Sequence, residues 1–390
     1  MWVPEHYKDF ACLAGACRDS CCIGWELDID DETYGRYLSE TGPFGDRLRA
    51  HMEDIEEDGE VFHTFRRDGR RCPFLNPKNL CDICLTLGED ALCTVCTEYP
   101  RYTIRFGDEL ERTLTLSCEE AGRLMFETEG PLRMVEIGGA GDADDPDDGR
   151  DDRDDRSDSD DVRDDYDDGW DDEADEVISS RDLREIRREA IQILQDRSRS
   201  IEERLARYQT YSCSVQERFN GSSSESGTSK GSDKETDRSD IFWETDPEAF
   251  EERLAILDEL EILDHEWQSV FDQLSGWLDE GSYPEKAEAF RQDAAAAAER
   301  ERSYEHLMVY FTLRYFPQAA DDGDILGKAR FCLFCLKVIR DMDALRFDEM
   351  TAGDWSLSDR IDNVRIFCKE VEHSDDNIAV IMEELLFLTK

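Results

Sequence analysis

The stretch Ala16–Asp30, ACRDSCCIGWELDID, places three cysteines within six positions, two of them adjacent at Cys21 and Cys22. A disulfide staple, a metal site and an apolar patch built from cysteine all use sulfur at that density. The surroundings narrow the choice. Ten of the chain's fourteen cysteines fall before residue 119: Cys12, Cys17, Cys21, Cys22, Cys72, Cys81, Cys84, Cys93, Cys96 and Cys118. The opening residues, MWVPEHYKDFACL, have no basic segment leading into a long apolar core, so they do not read as a secretory signal. The expected compartment is therefore the cytoplasm, where structural disulfides are uncommon.

Thiolate metal sites are assembled from short-spaced cysteine pairs on separate loops. Here CxxxCC at Cys17–Cys22 is followed by CxxC steps at Cys81–Cys84 and Cys93–Cys96, with Cys72 opening the run CPFLNPKNLCDIC. Four thiolates complete a structural zinc or one cubane cluster, so ten imply either two sites or one site plus reactive thiols. The two CxxC steps stand too close together for a zinc ribbon. They also differ from the CxxxCxxC run of radical enzymes that use S-adenosylmethionine. Spacing alone leaves the metal open, iron or zinc.

Further from that stretch, 390 residues suggest two or three domains. Acidic side chains number 97 against 46 basic ones, a formal net charge of −51. Aspartate-rich, lysine-poor surfaces of this kind hold water and counterions and resemble those of proteins from salt-loving organisms. The balance argues against binding nucleic acid or anionic membrane, both of which need a basic surface. No apolar run approaches the roughly 20 residues that span a bilayer.

The pattern divides the chain into a cysteine-rich module (1–137), an acidic linker (139–176) and a helical domain (181–390) interrupted by a Ser/Gly-rich linker (220–240). Within the module, WELDID alternates like a half-buried strand, DETYGRYLSE reads as a short helix, and RYTIRF and ERTLTLS as strands around GDEL. The acidic linker has almost no apolar content with which to offset ordering, so disorder is expected there. Residues 181–212 read as helical, with Leu183, Ile186, Ala190 and Leu194 on one face, then Ile201, Leu205 and Tyr208. DPEAFEERLAILDELEILDHEW carries an Asp cap before Pro247. YEHLMVYFTLRYF, ILGKARFCLFCLKVIRDM and DNIAVIMEELLFL read as strongly apolar helices. The expected class is mainly α (α+β), with a small cysteine-rich module of short strands and no Rossmann-type sheet.

Other motifs are weaker. MVEIGGAGDADD is glycine-rich after a short apolar run, but aspartates follow instead of an amphipathic helix, so it reads as the start of the linker. Cys332 and Cys335 form a CxxC amid Phe331, Leu333, Phe334 and Leu336, where cysteine serves as a small core hydrophobe. The six histidines form no ligand spacing, and no hydrolytic triad or phosphate loop is present.

Together, YKDFACLAGACRDSCCIGWELDIDDETYGRY, CPFLNPKNLCDICLTLGEDALCTVCTEYPR and ERTLTLSCEEAGRLMF resemble the N-terminal half of the flagellin lysine-N-methylases, and more loosely the zinc/iron-chelating cysteine-cluster proteins. YEHLMVYFTLRYF and EVEHSDDNIAVIMEELL resemble that methylase family too. The resemblance implies methyl transfer from S-adenosylmethionine to lysine amines of a protein substrate, a flagellin-like filament subunit or other lysine-bearing protein. It also implies an iron–sulfur cluster, 4Fe-4S, with zinc as the alternative. Carried over by position, it makes Cys17, Cys21, Cys22, Cys72, Cys81 and Cys96 the metal ligands, with Cys12 and Cys118 next. Gly24, Trp25, Tyr99, Pro100 and Arg101 frame them, while Cys84 and Cys93 stand as additions outside the ligand set. Arg101 is a candidate to hold a carboxylate and Tyr99 to assist proton removal; packing around the metal site is the plainer role for both.

Overall fold

Asp30 fixes the first helix by accepting a hydrogen bond from the Thr33 backbone N–H at 2.9 Å, one of the four donors a helix start leaves unpaired. This is a computed structural model that describes residues 1–24, 27–57, 59–66, 69–138, 177–222, 245–293, 297–350 and 355–387. The first half runs β1 (Trp2–Pro4), α1 (Asp31–Ser39), α2 (Gly42–His51), β2 (Met52–Glu57), β3 (Glu60–Phe65), α3 (Asp82–Leu87), α4 (Thr94–Glu98), β4 (Arg101–Phe106), β5 (Glu109–Leu114), α5 (Glu119–Glu127) and β6 (Met134–Glu136). β2 and β3 form an antiparallel hairpin; the other strands form a sheet in the order β4-β5-β1-β6. β1 runs parallel to β5 and antiparallel to β6. The apolar-then-glycine run at 134–138 is thus an antiparallel edge strand, unlike the first strand of a doubly wound sheet.

The second half is helical: α6 (Ser180–Leu194), α7 (Ile201–Ser222), α8 (Pro247–Asp258), α9 (His265–Glu280), α10 (Tyr283–Gln292), α11 (Ala297–Tyr315), α12 (Ala319–Asp322), α13 (Ile325–Glu349), α14 (Leu357–Val371) and α15 (Asp375–Phe387). The mainly α class with a small sheet is the one expected.

The structure adds detail to the sequence expectations. The helical stretch expected over 181–212 divides into α6 and α7 at residues 195–200, because Ser200 and Glu203 close a capping box: the Glu203 carboxylate accepts from the Ser200 N–H at 3.1 Å, and the Ser200 hydroxyl accepts from the Glu203 N–H at 3.4 Å. DPEAFEERLAILDELEILDHEW also holds two helix starts, with Asp246 capping α8 and Asp264 capping α9. WELDID is not a strand: its described residues make only one bridge, Asp28 to Thr64, although Leu27 and Ile29 are buried and Asp28 exposed as the alternation implies. Residues 220–222 belong to α7, and the rest of the Ser/Gly linker, like all of 139–176 and Trp25, lies outside the described residues.

Two apolar cores result. A small one gathers Leu27, Ile29, Tyr37, Leu48, Phe65, Phe74 and Ile83 around Cys72 and Cys93. A large one runs through the helices and takes in Phe106, Leu116, Met125 and Phe126 from the sheet and α5. Cys332, Cys335 and Cys368 are fully buried within it, in the packing role expected for the first two. The sheet is fastened to the helices by a buried pair, Arg187 Nη1 donating to Glu111 Oε2 at 2.8 Å. No described helix is long and apolar enough to cross a membrane.

Candidate metal centre

Backbone pairing between distant segments brings the cysteines together. The Cys72 N–H donates to the Cys22 carbonyl at 2.9 Å and the Gly24 N–H to the Arg70 carbonyl at 3.0 Å, laying the CxxxCC strand end beside Cys72. Leu75 bridges Cys81, and the Asp82 N–H donates to the Phe74 carbonyl at 2.8 Å, which folds the CPFLNPKNLCDIC loop back on itself. Asp30, already capping α1, also accepts from the Thr94 N–H at 2.9 Å and so anchors α4, the helix that carries Cys96. Cys22, Cys72, Cys81, Cys93 and Cys96 consequently lie near enough for charge on one to act on the others.

A second group of cysteines meets this one at the Cys21–Cys22 thiol contact. Cys17 and Cys21 lie near enough to Cys12 and Cys118 for like charge to raise their thiols. The six ligands carried over from the family are therefore split four and two: Cys22, Cys72, Cys81 and Cys96 in one set, Cys17 and Cys21 in the other. Cys93, set aside in the sequence reading, is 1 % exposed and shares a thiol hydrogen bond with Cys96. The thiols of adjacent Cys21 and Cys22 bond to each other, so the two sets meet at this pair. Cys118, named with Cys12 as the next candidates after the six, stands 101 residues from Cys17 and is joined to it only by tertiary folding.

Each thiol responds to this crowding. Burial, then like-charged neighbours, pushes Cys17 up to about 12. Burial also pushes Cys72 up to about 12 and Cys118 up to about 11. The Cys21 thiol donates to Cys22, which raises Cys21 and brings Cys22 down to about 7. Backbone N–H dipoles oppose burial. Those of Ile83 and Cys84 face Cys81, and those of Glu120 and Ala121 face Cys118, favouring thiolate without closing a cap hydrogen bond. Cys81, Cys93 and Cys118 each hold the residue position just before a helix, α3, α4 and α5. Such donors stabilise ligating sulfur.

Gly24 holds the seam to the helical half. Its φ is +106°, and a Cβ there would lie 2.9 Å from Lys369 Cε and 3.1 Å from Arg70 Nη2. Gly24→Ala is expected to cost about 2 kcal/mol or more, from backbone strain plus that clash. Urea unfolding of the purified chain measures it.

Across the seam, Asp19 pairs with Arg365 at 3.0 Å and with buried Lys369, which also meets Asp264 at 3.0 Å. Asp19, Asp264 and Glu266 bring oxygens within 4.8 Å of one another. Arg365, at 2.8 Å from Glu266, and Lys369 already neutralise them, so this group is an ion-pair seam. Deeper in, the Tyr99 hydroxyl and His373 both bond Ser117 Oγ, at 3.2 and 2.9 Å. Thr115, Tyr310 and Arg314 converge on the Glu372 carboxylate. Burial keeps Tyr99 far above its ordinary value and holds His373 down at about 3. Arg101 donates to the Tyr7 hydroxyl at 3.2 Å and lies over Phe10, a packing role.

A small, mainly apolar cavity beside the sheet is lined by Pro4, His6, Thr113, Leu116, Met125 and Tyr310. Thr113 Oγ1 is buried there without a hydrogen-bond partner among the described residues. Burial, aided by the charge of His306 and opposed by Asp9, holds His6 down to about 4. A depressed histidine contributes stability that is complete above its unfolded value of 6.5 and lost as pH falls towards 4. Going from pH 7 to 5 is expected to cost about 2 kcal/mol through this residue. In His6→Gln that part of the acid sensitivity disappears, a difference read from urea midpoints at the two pH values.

These features define a mainly α protein carrying an all-sulfur donor module docked on a helical half. Residues 187–387, just over half of the chain, match the family of the FliB lysine N-methylase C-terminal domain, and the chain belongs to that family. It is 29% identical over 120 residues to the lysine-N-methylase of Salmonella choleraesuis (strain SC-B67) and, to the same extent, to that of Salmonella typhimurium (strain LT2), covering 30% of this chain and 30% of each relative. It is 28% identical over 123 residues to the flagellar biosynthetic protein FliU of Salmonella muenchen, covering 30% of this chain and 71% of FliU. The chain thus aligns with about a third of the two methylases' length. No solved structure matches it.

Proposed function

We propose that the chain is a protein-lysine N-methyltransferase that uses S-adenosylmethionine and carries an iron–sulfur cluster at Cys22, Cys72, Cys81 and Cys96. Its substrate is a lysine on a flagellin-like filament subunit or another protein. The observation that carries the reading is the family match over the helical half onto which the thiol module docks.

The donor chemistry suits the cluster. All donors are sulfur, and backbone dipoles favour the Cys81 thiolate. When bound, such a group supplies redox and Lewis-acid chemistry at iron. The residues of the chain hold it dry: Phe74, Ile83 and Tyr37 pack behind Cys72 and Cys93. The small cavity beside the sheet has room for about one water molecule, so the orphaned Thr113 Oγ1 on its wall suits a buried water and not S-adenosylmethionine.

Substrate lysine, with a pKa of about 10.4, must lose its proton before attacking a methyl group. The test supplies isotopically labelled S-adenosylmethionine and a purified filament subunit to the cluster-loaded chain. Label is expected in methyllysine after acid hydrolysis. A loaded chain that binds S-adenosylmethionine no better than a denatured control, and labels nothing, contradicts the reading and leaves a metal-binding protein without catalysis.

A further inference from the structure

We infer that the chain holds two thiolate metal centres, the second an iron–sulfur cluster ligated by Cys12, Cys17, Cys21 and Cys118 at the seam between the sheet and α14. The inference extends the cluster reading above and rests on it. Three separate segments supply the four sulfurs, and each is held in place by its own contacts. In the first segment, the Ala14 N–H donates to Cys12 Sγ at 3.3 Å and the Cys17 N–H to the Ala14 carbonyl at 3.4 Å, which turns the chain so that Cys12 and Cys17 lie on one side. Gly15 lets that turn lie against the Lys78 carbonyl oxygen, which a Cβ there would meet at 2.7 Å. Arg18 then clamps this loop to the start of α5: its N–H donates to Glu119 Oε2 at 3.0 Å and its Nε lies 3.2 Å from Glu119 Oε1. That clamp sets Cys17 beside Cys118. Cys21 completes the set, near enough to Cys12 and Cys118 to feel their charge.

Neither packing nor disulfide bonding explains these thiols. Cys12 and Cys21 are exposed and Cys17 and Cys118 half-buried, unlike the fully buried core cysteines of α13 and α14, and none is in a disulfide. The nearby carboxylates are occupied elsewhere, Glu119 by Arg18 and Glu120 by Arg123, which leaves sulfur as the donor on offer. Four converging thiols suit a soft metal and little else. Because Cys21 and Cys22 are neighbours in sequence yet serve different sets, the two centres would be joined through a single peptide unit.

The full chain and its variants, each purified without oxygen, are assayed for iron and acid-labile sulfide per chain. Cys12→Ala with Cys118→Ala is expected to keep half of the wild-type iron and sulfide. Cys72→Ala with Cys96→Ala is expected to keep the other half, and Cys213→Ser, on α7, all of it. Cys17→Ser, a conservative change at a half-exposed position, gives the same halving if the double variant fails to fold, with far-ultraviolet circular dichroism as the check. Unchanged iron and sulfide in a folded Cys12/Cys118 or Cys17 variant overturns the second centre while leaving the first intact. A wild-type chain with neither iron nor sulfide overturns the cluster reading altogether, and the second centre with it.

Discussion

Arg360→Leu is expected to destabilise the chain by about 4 kcal/mol, because it strands a buried carboxylate. Arg360 and Asp343 are both fully buried, with Nε donating to Oδ2 at 2.8 Å. Tyr304 and Asn363 donate to the same carboxylate at 3.0 and 2.9 Å but bring no charge. Burial already pushes Asp343 above the ordinary carboxylate range, and Arg360 is the principal group opposing it. Without the guanidinium the carboxyl protonates instead of staying charged, so the loss is smaller in acid and grows as pH rises. Adding Asp343→Asn to Arg360→Leu removes the stranded charge and is expected to restore at least half of the lost stability. Urea unfolding at pH 5 and 8 for the single and double variants measures both effects. Equal losses at the two pH values would remove the electrostatic account.

Lys369→Met is expected to cost about 3 kcal/mol and to loosen the thiol module from the helical half. The lysine side chain is 4% exposed, pairs with Asp19 and Asp264, and lies against Gly24. Its removal leaves two carboxylates half-compensated, since Arg365 still reaches Asp19 at 3.0 Å and Arg70 reaches Asp264 at 3.6 Å. Breaking a buried pair from one side ordinarily costs 3–5 kcal/mol, so this residual compensation sets the effect at about the lower end. The small core around Cys72 does not depend on Lys369. The variant is therefore expected to keep metal at Cys22, Cys72, Cys81 and Cys96 while methyl transfer falls. Parallel loss of metal from that set would mean that the module depends on the helical half for its own folding.

Much of this arrangement was legible in the residues. Helical periodicity placed α11, α13 and α15 because their apolar positions recur along whole turns, and the Asp-Pro start located α8. The break before α7 was equally present, in Ser200 and Glu203 three residues apart, but the apolar face on either side masked it. Buried polar groups were not legible. Glu305, Asp341 and Asp343 carry charge on α11 and α13, and each is buried against arginine from another helix: Arg204 at 2.6 Å, Arg253 at 2.9 Å and Arg360 at 2.8 Å. A single chain read in order does not show which charge will meet which. The cysteines follow the same rule. Local spacing marked them as thiolate donors, whereas their division into two sets depends on Cys72 pairing with Cys22 and on Arg18 reaching Glu119, contacts made across 50 and 101 residues.

The most direct test of the central claim is the visible spectrum of the full chain purified without oxygen, recorded together with iron, zinc and acid-labile sulfide per chain. The expected result is iron and sulfide in equal amounts, with a broad absorbance towards the blue that fades on reduction. Stoichiometric zinc without sulfide, or no metal at all, would contradict the claim that these cysteines hold an iron–sulfur cluster.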